Sequence, residues 1–61
     1  MKLIEALKWE SSNQIVGIFY ADTENDLATT LGNLTISNGS LAYDGEGKVY
    51  VFKNDWTKIG G

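Results

Sequence analysis

Residues 39–61, GSLAYDGEGKVYVFKNDWTKIGG, decide the fold. Short apolar runs alternate there with Gly, Asn and Asp, and almost every run carries an aromatic side chain. Ser40 to Tyr43 reads as a short strand, Asp44-Gly45-Glu46-Gly47 as a flexible turn, and Lys48 to Lys53 as the central strand. Lys53-Asn54-Asp55 makes another turn, Trp56 to Ile59 a last strand, and Gly60-Gly61 a frayed end. Side chains alternate along a strand, so Val49 and Val51 occupy one face of the central strand and Tyr50 and Phe52 the other. A very small chain has trouble covering both faces of such a strand by itself. The stretch therefore points to a structural piece that packs against something, and away from an enzyme.

Upstream the same pattern recurs. Lys2 to Trp9 reads as a strand, with a short helix over LIEALK as the alternative, and the following polar turn Glu10-Ser11-Ser12-Asn13 and β-rich run Gln14 to Tyr20 favour a β-hairpin. In that second run Ile15 and Phe19 share one face, with Gly17 between them, while Val16, Ile18 and Tyr20 line the other. Asp22 or Thr23 is placed to cap a short helical segment reaching Leu31 and stopped by Gly32, with a loop as the alternative. Leu34 and Ile36 resume the β alternation, and Asn38-Gly39 is a strong turn signal. The expectation is one all-β domain over residues 1–61, a small antiparallel sheet or β-sandwich-like meander of hairpins with room for one short helical turn.

Composition narrows the chemistry. Sixty-one residues lie near the lower limit for independent folding, where roughly 60% of the unfolded surface is buried. Such domains usually lean on disulfides, a metal or a partner. The chain has no Cys and no His, which removes disulfides, thiolate zinc sites, and the commonest metal ligand and general base. Association with copies of itself or with a larger body is what remains. A net charge of −3 with five lysines and no arginine argues against nucleic acid and against anionic membranes. No run approaches the ~18 apolar residues of a membrane span, and Glu5 and Lys8 interrupt any signal-peptide core, so a cytoplasmic origin is the default. The matches to a glycosylation pattern at Asn33 and Asn38 then read as chance turns.

No constellation of residues survives as a catalytic, metal or cofactor site. Asp22, Glu24 and Asp26 alternate like the first ligands of a calcium loop, but Leu27 stands where Gly is required and Asn33 where Glu is needed. Asp44, Glu46 and Asp55 are a carboxylate set in search of a cleft, and all three fall in turns where acids serve the backbone, so Asp44→Ala is expected to do little. Ser11, Ser12, Ser37 and Ser40 have no His to activate them, and the GEGK stretch leads into a strand rather than the helix of a phosphate loop. Aromatic residues are left. Most fill a small β core, with Trp56 the one expected to be partly exposed and Trp56 or Tyr50 available for stacking on a sugar.

Three segments, MKLIEALKW, IVGIFYADTENDL and GSLAYDGEGKVYVFKNDWTKIGG, carry a resemblance that spans nearly the whole chain. The K-x-I-E-x opening, the G-x-(F/Y)-Y-A-D-(T/S) phrase at residues 17–23 and the G-S-x-A-Y phrase at 39–43 resemble the short β-rich proteins encoded among the head and head–tail genes of tailed bacteriophages of Gram-positive bacteria. The resemblance implies a non-enzymatic virion or assembly protein, made in the host cytoplasm and carried on the capsid as a decoration, vertex or fibre-base element. Its partners would be copies of itself or capsid proteins. The interface expected from the residues comprises Ile18, Tyr20, Val49, Tyr50, Val51, Phe52 and Trp56. The rival from another class is a binding module for host-surface carbohydrate or an inhibitor of a host protein.

Overall fold

The computed structural model describes all of residues 1–61. It is a six-stranded sheet with one 3₁₀ turn and no α-helix, so the all-β expectation holds. The strands are β1 (Lys2–Ser11), β2 (Gln14–Ala21), β3 (Thr35–Ile36), β4 (Leu41–Asp44), β5 (Val49–Phe52) and β6 (Trp56–Gly60). They lie in the order β1-β2-β4-β5-β6, with β3 alongside β2.

The expected chain of antiparallel hairpins is only partly what forms. β1–β2, β4–β5 and β5–β6 are antiparallel, but β3 and β4 both run parallel to β2. Thr35 and Ile36 pair with Gln14 and Ile15, and Leu41 to Asp44 with Ile18 to Ala21. β3 and β4 are thus one interrupted strand travelling along β2, and Asn38-Gly39 is the tip of a four-residue excursion from it rather than a hairpin turn. The excursion is held from the far side. The Gly39 N–H donates to the Phe52 carbonyl (2.8 Å), and the Asn54 N–H donates to the Asn38 side-chain oxygen (2.8 Å). Asn54 adopts φ 64° in the β5–β6 turn, a conformation Asn tolerates better than most residues.

Where the two parallel ladders part, β2 would leave a buried N–H unpaired at Gly17. Ser40, fully buried, closes the gap: its hydroxyl accepts from the Gly17 N–H (3.1 Å) and donates to the Ser37 carbonyl (2.8 Å). Ser40, expected at the start of a short strand, acts here as a backbone substitute within the sheet.

β1 departs from simple alternation as well. Its ten residues face only seven partners on β2, with register shifts at three places, so Ile4, Leu7 and Glu10 are surplus residues at bulges. The strand therefore repeats every three residues. Leu3, Ala6 and Trp9 stand opposite the inward residues Phe19, Gly17 and Ile15, and Lys2, Glu5 and Lys8 stand opposite Tyr20, Ile18 and Val16. Gly17 makes this possible: a Cβ there would lie 2.9 Å from the Glu5 carbonyl oxygen and 2.9 Å from Leu3 Cδ1. The hairpin turn is also tighter than the expected Glu10–Asn13, because β1 continues through Ser11 and only Ser12 and Asn13 connect to β2.

Residues after β2 form a 3₁₀ turn at Glu24–Ala28 in place of the longer helical segment. Thr23 makes no side-chain capping bond. Asp26 does the bracing instead: its carboxylate accepts from the Met1 ammonium (2.7 Å) and the Asp22 N–H (3.4 Å). This crossover carries Leu27 into the core on the inner face of the sheet, and Leu31, Leu34 and Ile36 pack against that core. The core is small: Ile15, Phe19, Ala21, Leu27, Ala42 and Tyr50 are its only buried apolar residues. Across the sheet the inward row Leu3, Phe19, Ala42, Tyr50 and Lys58 sets a methyl group between two large rings.

Gly17→Ala should force β1 off β2, because the Leu3 side chain can yield to a new methyl group but the Glu5 carbonyl cannot. The expected loss is roughly 1–3 kcal/mol, typical of overpacking, measured by urea unfolding followed by circular dichroism.

Candidate functional site: the outer sheet face

Strand β4, LAYD, has its polarity reversed. Ordinary patterning would turn Leu41 and Tyr43 inward and Ala42 and Asp44 to water. The structure does the opposite: Ala42 and Asp44 are 1% and 3% exposed, whereas Leu41 and Tyr43 are 36% and 40% exposed. Two features hold this register. The small Ala42 occupies the buried position between Phe19 and Tyr50 on the two neighbouring strands. The Asp44 carboxylate, moreover, has a prepared site. One oxygen accepts the Glu46 and Lys48 N–H groups (2.9 and 3.0 Å) and the other accepts the Tyr50 hydroxyl (2.7 Å).

Burial alone pushes the Asp44 carboxyl up, but the Tyr50 hydroxyl, the two turn amides and the Lys48 charge outweigh it, so the group ionises below its ordinary range. Tyr50 responds in the other direction. Burial first, and then the Asp44 carboxylate it donates to, raise the phenol far above its usual value. Asp44 is therefore a buried ion serving three donors, which corrects the expectation that it is a dispensable turn residue. Gly47, at φ 83°, gives the Asp44–Lys48 turn the conformation that brings both amides onto the carboxylate.

The consequence appears on the outer face. Neighbouring strands place Tyr20, Tyr43 and Val49 side by side in one row and Ile18, Leu41 and Val51 in the next, with Val16 beyond. Tyr20 and Tyr43 meet edge to face with ring centroids 5.2 Å apart. Desolvation, and then the nearby Asp22 carboxylate, hold the Tyr20 hydroxyl above its ordinary value, so this side chain stays uncharged at neutral pH. Lys2, Glu5 and Lys8 border the patch on β1, and Gly60 and Thr57 close the two rows on β6. No element of the chain packs over this face: the crossover and the 3₁₀ turn cover the other one.

Of the seven interface residues expected from the sequence, the structure brings together Ile18, Tyr20, Val49 and Val51 on this outer face. Tyr50 is 2% exposed and belongs to the core, so it is not available to a partner. Phe52 and Trp56 lie on the inner side, where Trp56 packs edge-on against Phe52 (5.1 Å) and Phe19 (6.1 Å). Trp56 keeps the partial exposure expected of it. Val16, already expected on the face of Ile18 and Tyr20, completes the patch together with Leu41 and Tyr43, which the sequence did not single out for an interface. The signal available was the alternation of Leu41 and Tyr43 with the small Ala42, read in the unusual direction.

Comparison of the chain with the models of known protein families, with curated proteins and with solved structures found no match.

Asp44→Ala strands the Tyr50 hydroxyl and two turn amides, and should lower Tm by on the order of 10 °C. Because the native Asp44 carboxyl ionises below its unfolded value of about 3.9, its contribution is present above that pH and is lost as pH falls through the native value. Thermal melts between about pH 2 and 7 should show an acid limb that is shallower in Asp44→Ala. Asp26, held low by the hydrogen bond from the Met1 ammonium, supplies part of what remains.

Proposed function

We propose that this chain is a non-enzymatic structural subunit that docks through its outer sheet face, and that it serves as a capsid-associated component of a tailed bacteriophage virion. The observation that carries the docking role is the outward placement of Leu41 and Tyr43, bought by turning a carboxylate into the core. The virion setting is supported by the resemblance of its three sequence segments to phage head and head–tail proteins.

Size favours an array over a free pair. Three strands at about 4.8 Å spacing and five residues at about 3.4 Å give a patch of a few hundred Å2. A stable interface between free proteins covers about 800 Å2 on each partner. One patch of this size supports weak contact between isolated copies, and strong attachment follows when many copies are held by a symmetric shell or the face sits on a larger capsid surface. Capsid subunits and further copies of the chain are therefore the partners this surface suits, after synthesis in the host cytoplasm.

Leu41→Lys and Tyr43→Lys test this directly. Both side chains point to solvent in the free chain, so each variant should melt within a few degrees of wild type. Each should nevertheless lose concentration-dependent self-association in sedimentation equilibrium and co-sedimentation with phage heads. Phe52→Asp, on the opposite face against Trp56, should instead unfold the domain. Wild-type protein that stays monomeric at millimolar concentration and never sediments with heads would overturn the proposal.

A further inference from the structure

On the inner side of the sheet, a groove of about 370 Å3 opens between the 3₁₀ turn and strand β6. It has no part in the outer-face docking proposed above. Leu27, Ala28, Tyr50 and Trp56 supply its apolar lining, and Glu24, Asn25, Asp55 and Lys58 its polar lining. Its volume is within the ~300–1,000 Å3 range of small-molecule sites.

The polar groups are not consumed by the fold. The ion pairs of the chain are Met1–Asp26, Lys8–Glu10 and Lys48–Glu46, so neither carboxylate of the groove nor its ammonium is paired with an opposite charge. Glu24 takes a long contact from the Tyr50 hydroxyl (3.3 Å), a donor already committed to Asp44 at 2.7 Å. The Asp55 carboxylate accepts only the Trp56 backbone N–H (2.8 Å), with one oxygen. Acceptors, an amide and a cationic donor thus surround an aromatic side chain, each with hydrogen-bonding capacity left over.

That combination discriminates among ligand classes. Two carboxylates disfavour phosphates and nucleotides, and Lys58 disfavours a cation seated on the indole. A purely apolar ligand would strand the polar half of the lining. A neutral polyhydroxyl ring meets every condition: its C–H face rests on the indole while its hydroxyls donate to the carboxylates and accept from Lys58 and Asn25. We infer that the groove between the 3₁₀ turn and β6 is a binding site for a neutral saccharide, with Trp56 as the platform and Asn25, Asp55, Glu24 and Lys58 as hydroxyl partners.

The two tryptophans provide the test. Trp56 lines the groove, while Trp9 is exposed on β1 and does not, so its indole N–H resonance is an internal control. Chitotriose, cellotriose and maltotriose would each be titrated into the labelled full chain to about 20 mM, since a small open site binds at about the millimolar level. At least one should shift the Trp56 indole resonance saturably and leave Trp9 unmoved. Asn25→Ala and Lys58→Ala remove groups that make no ion pair within the chain, and each should weaken binding about fivefold or more with unchanged melting. Absence of a saturable Trp56 shift with all three sugars, matching shifts at Trp9, or variants that bind as tightly as wild type would each overturn the assignment.

Discussion

The hydrogen bond from Tyr50 to the buried Asp44 carboxylate governs this fold. It joins adjacent strands through their side chains, and the same carboxylate gathers the amides of the turn between them. Because strand side chains alternate, fixing Asp44 inward fixes Ala42 inward and commits Leu41 and Tyr43 to the outside. A one-residue slip of β4 would satisfy the hydrophobic pattern better while leaving a phenol and two amides without their acceptor. Buried polar groups are expensive to leave unpaired, and that cost selects the observed register. The character of the outer face therefore follows from a bond made on the inner one.

The parts of this architecture visible in the sequence are those set by local chemistry. Turn residues at Asn54 and Gly47, and β-branched and aromatic runs at Gln14–Tyr20 and Val49–Phe52, place most strands within a residue or two of where they lie. What local chemistry leaves open is partnership. Asn38-Gly39 has the composition of a hairpin turn, yet β2 offers a free edge long enough for both Thr35–Ile36 and Leu41–Asp44, and the chain continues along it. Asp44 sits beside three glycine-rich turn positions and looks like one of them. Only the tertiary meeting with Tyr50, six residues on, reveals its role. The candidate interface divides in the same way: Ile18, Tyr20, Val49 and Val51 come from strands whose alternation is regular, while Leu41 and Tyr43 come from the strand whose polarity is inverted.

The inner and outer faces have distinct characters. Inside, a short crossover spends its leucines covering a core of six buried apolar residues, and at its margin an open groove mixes charge with an indole. Outside, uncharged rings and aliphatic side chains lie in two rows with charged residues along one border. An interaction on one face would leave the other accessible.

The threefold repeat of β1 bears on how such molecules can crowd together. A straight, evenly spaced margin invites a neighbour to continue the ladder, and repeated continuation produces fibres. Three surplus residues in ten break that spacing, and lysines and glutamates punctuate it. Continuation of the ladder by a neighbouring strand is therefore frustrated at that margin.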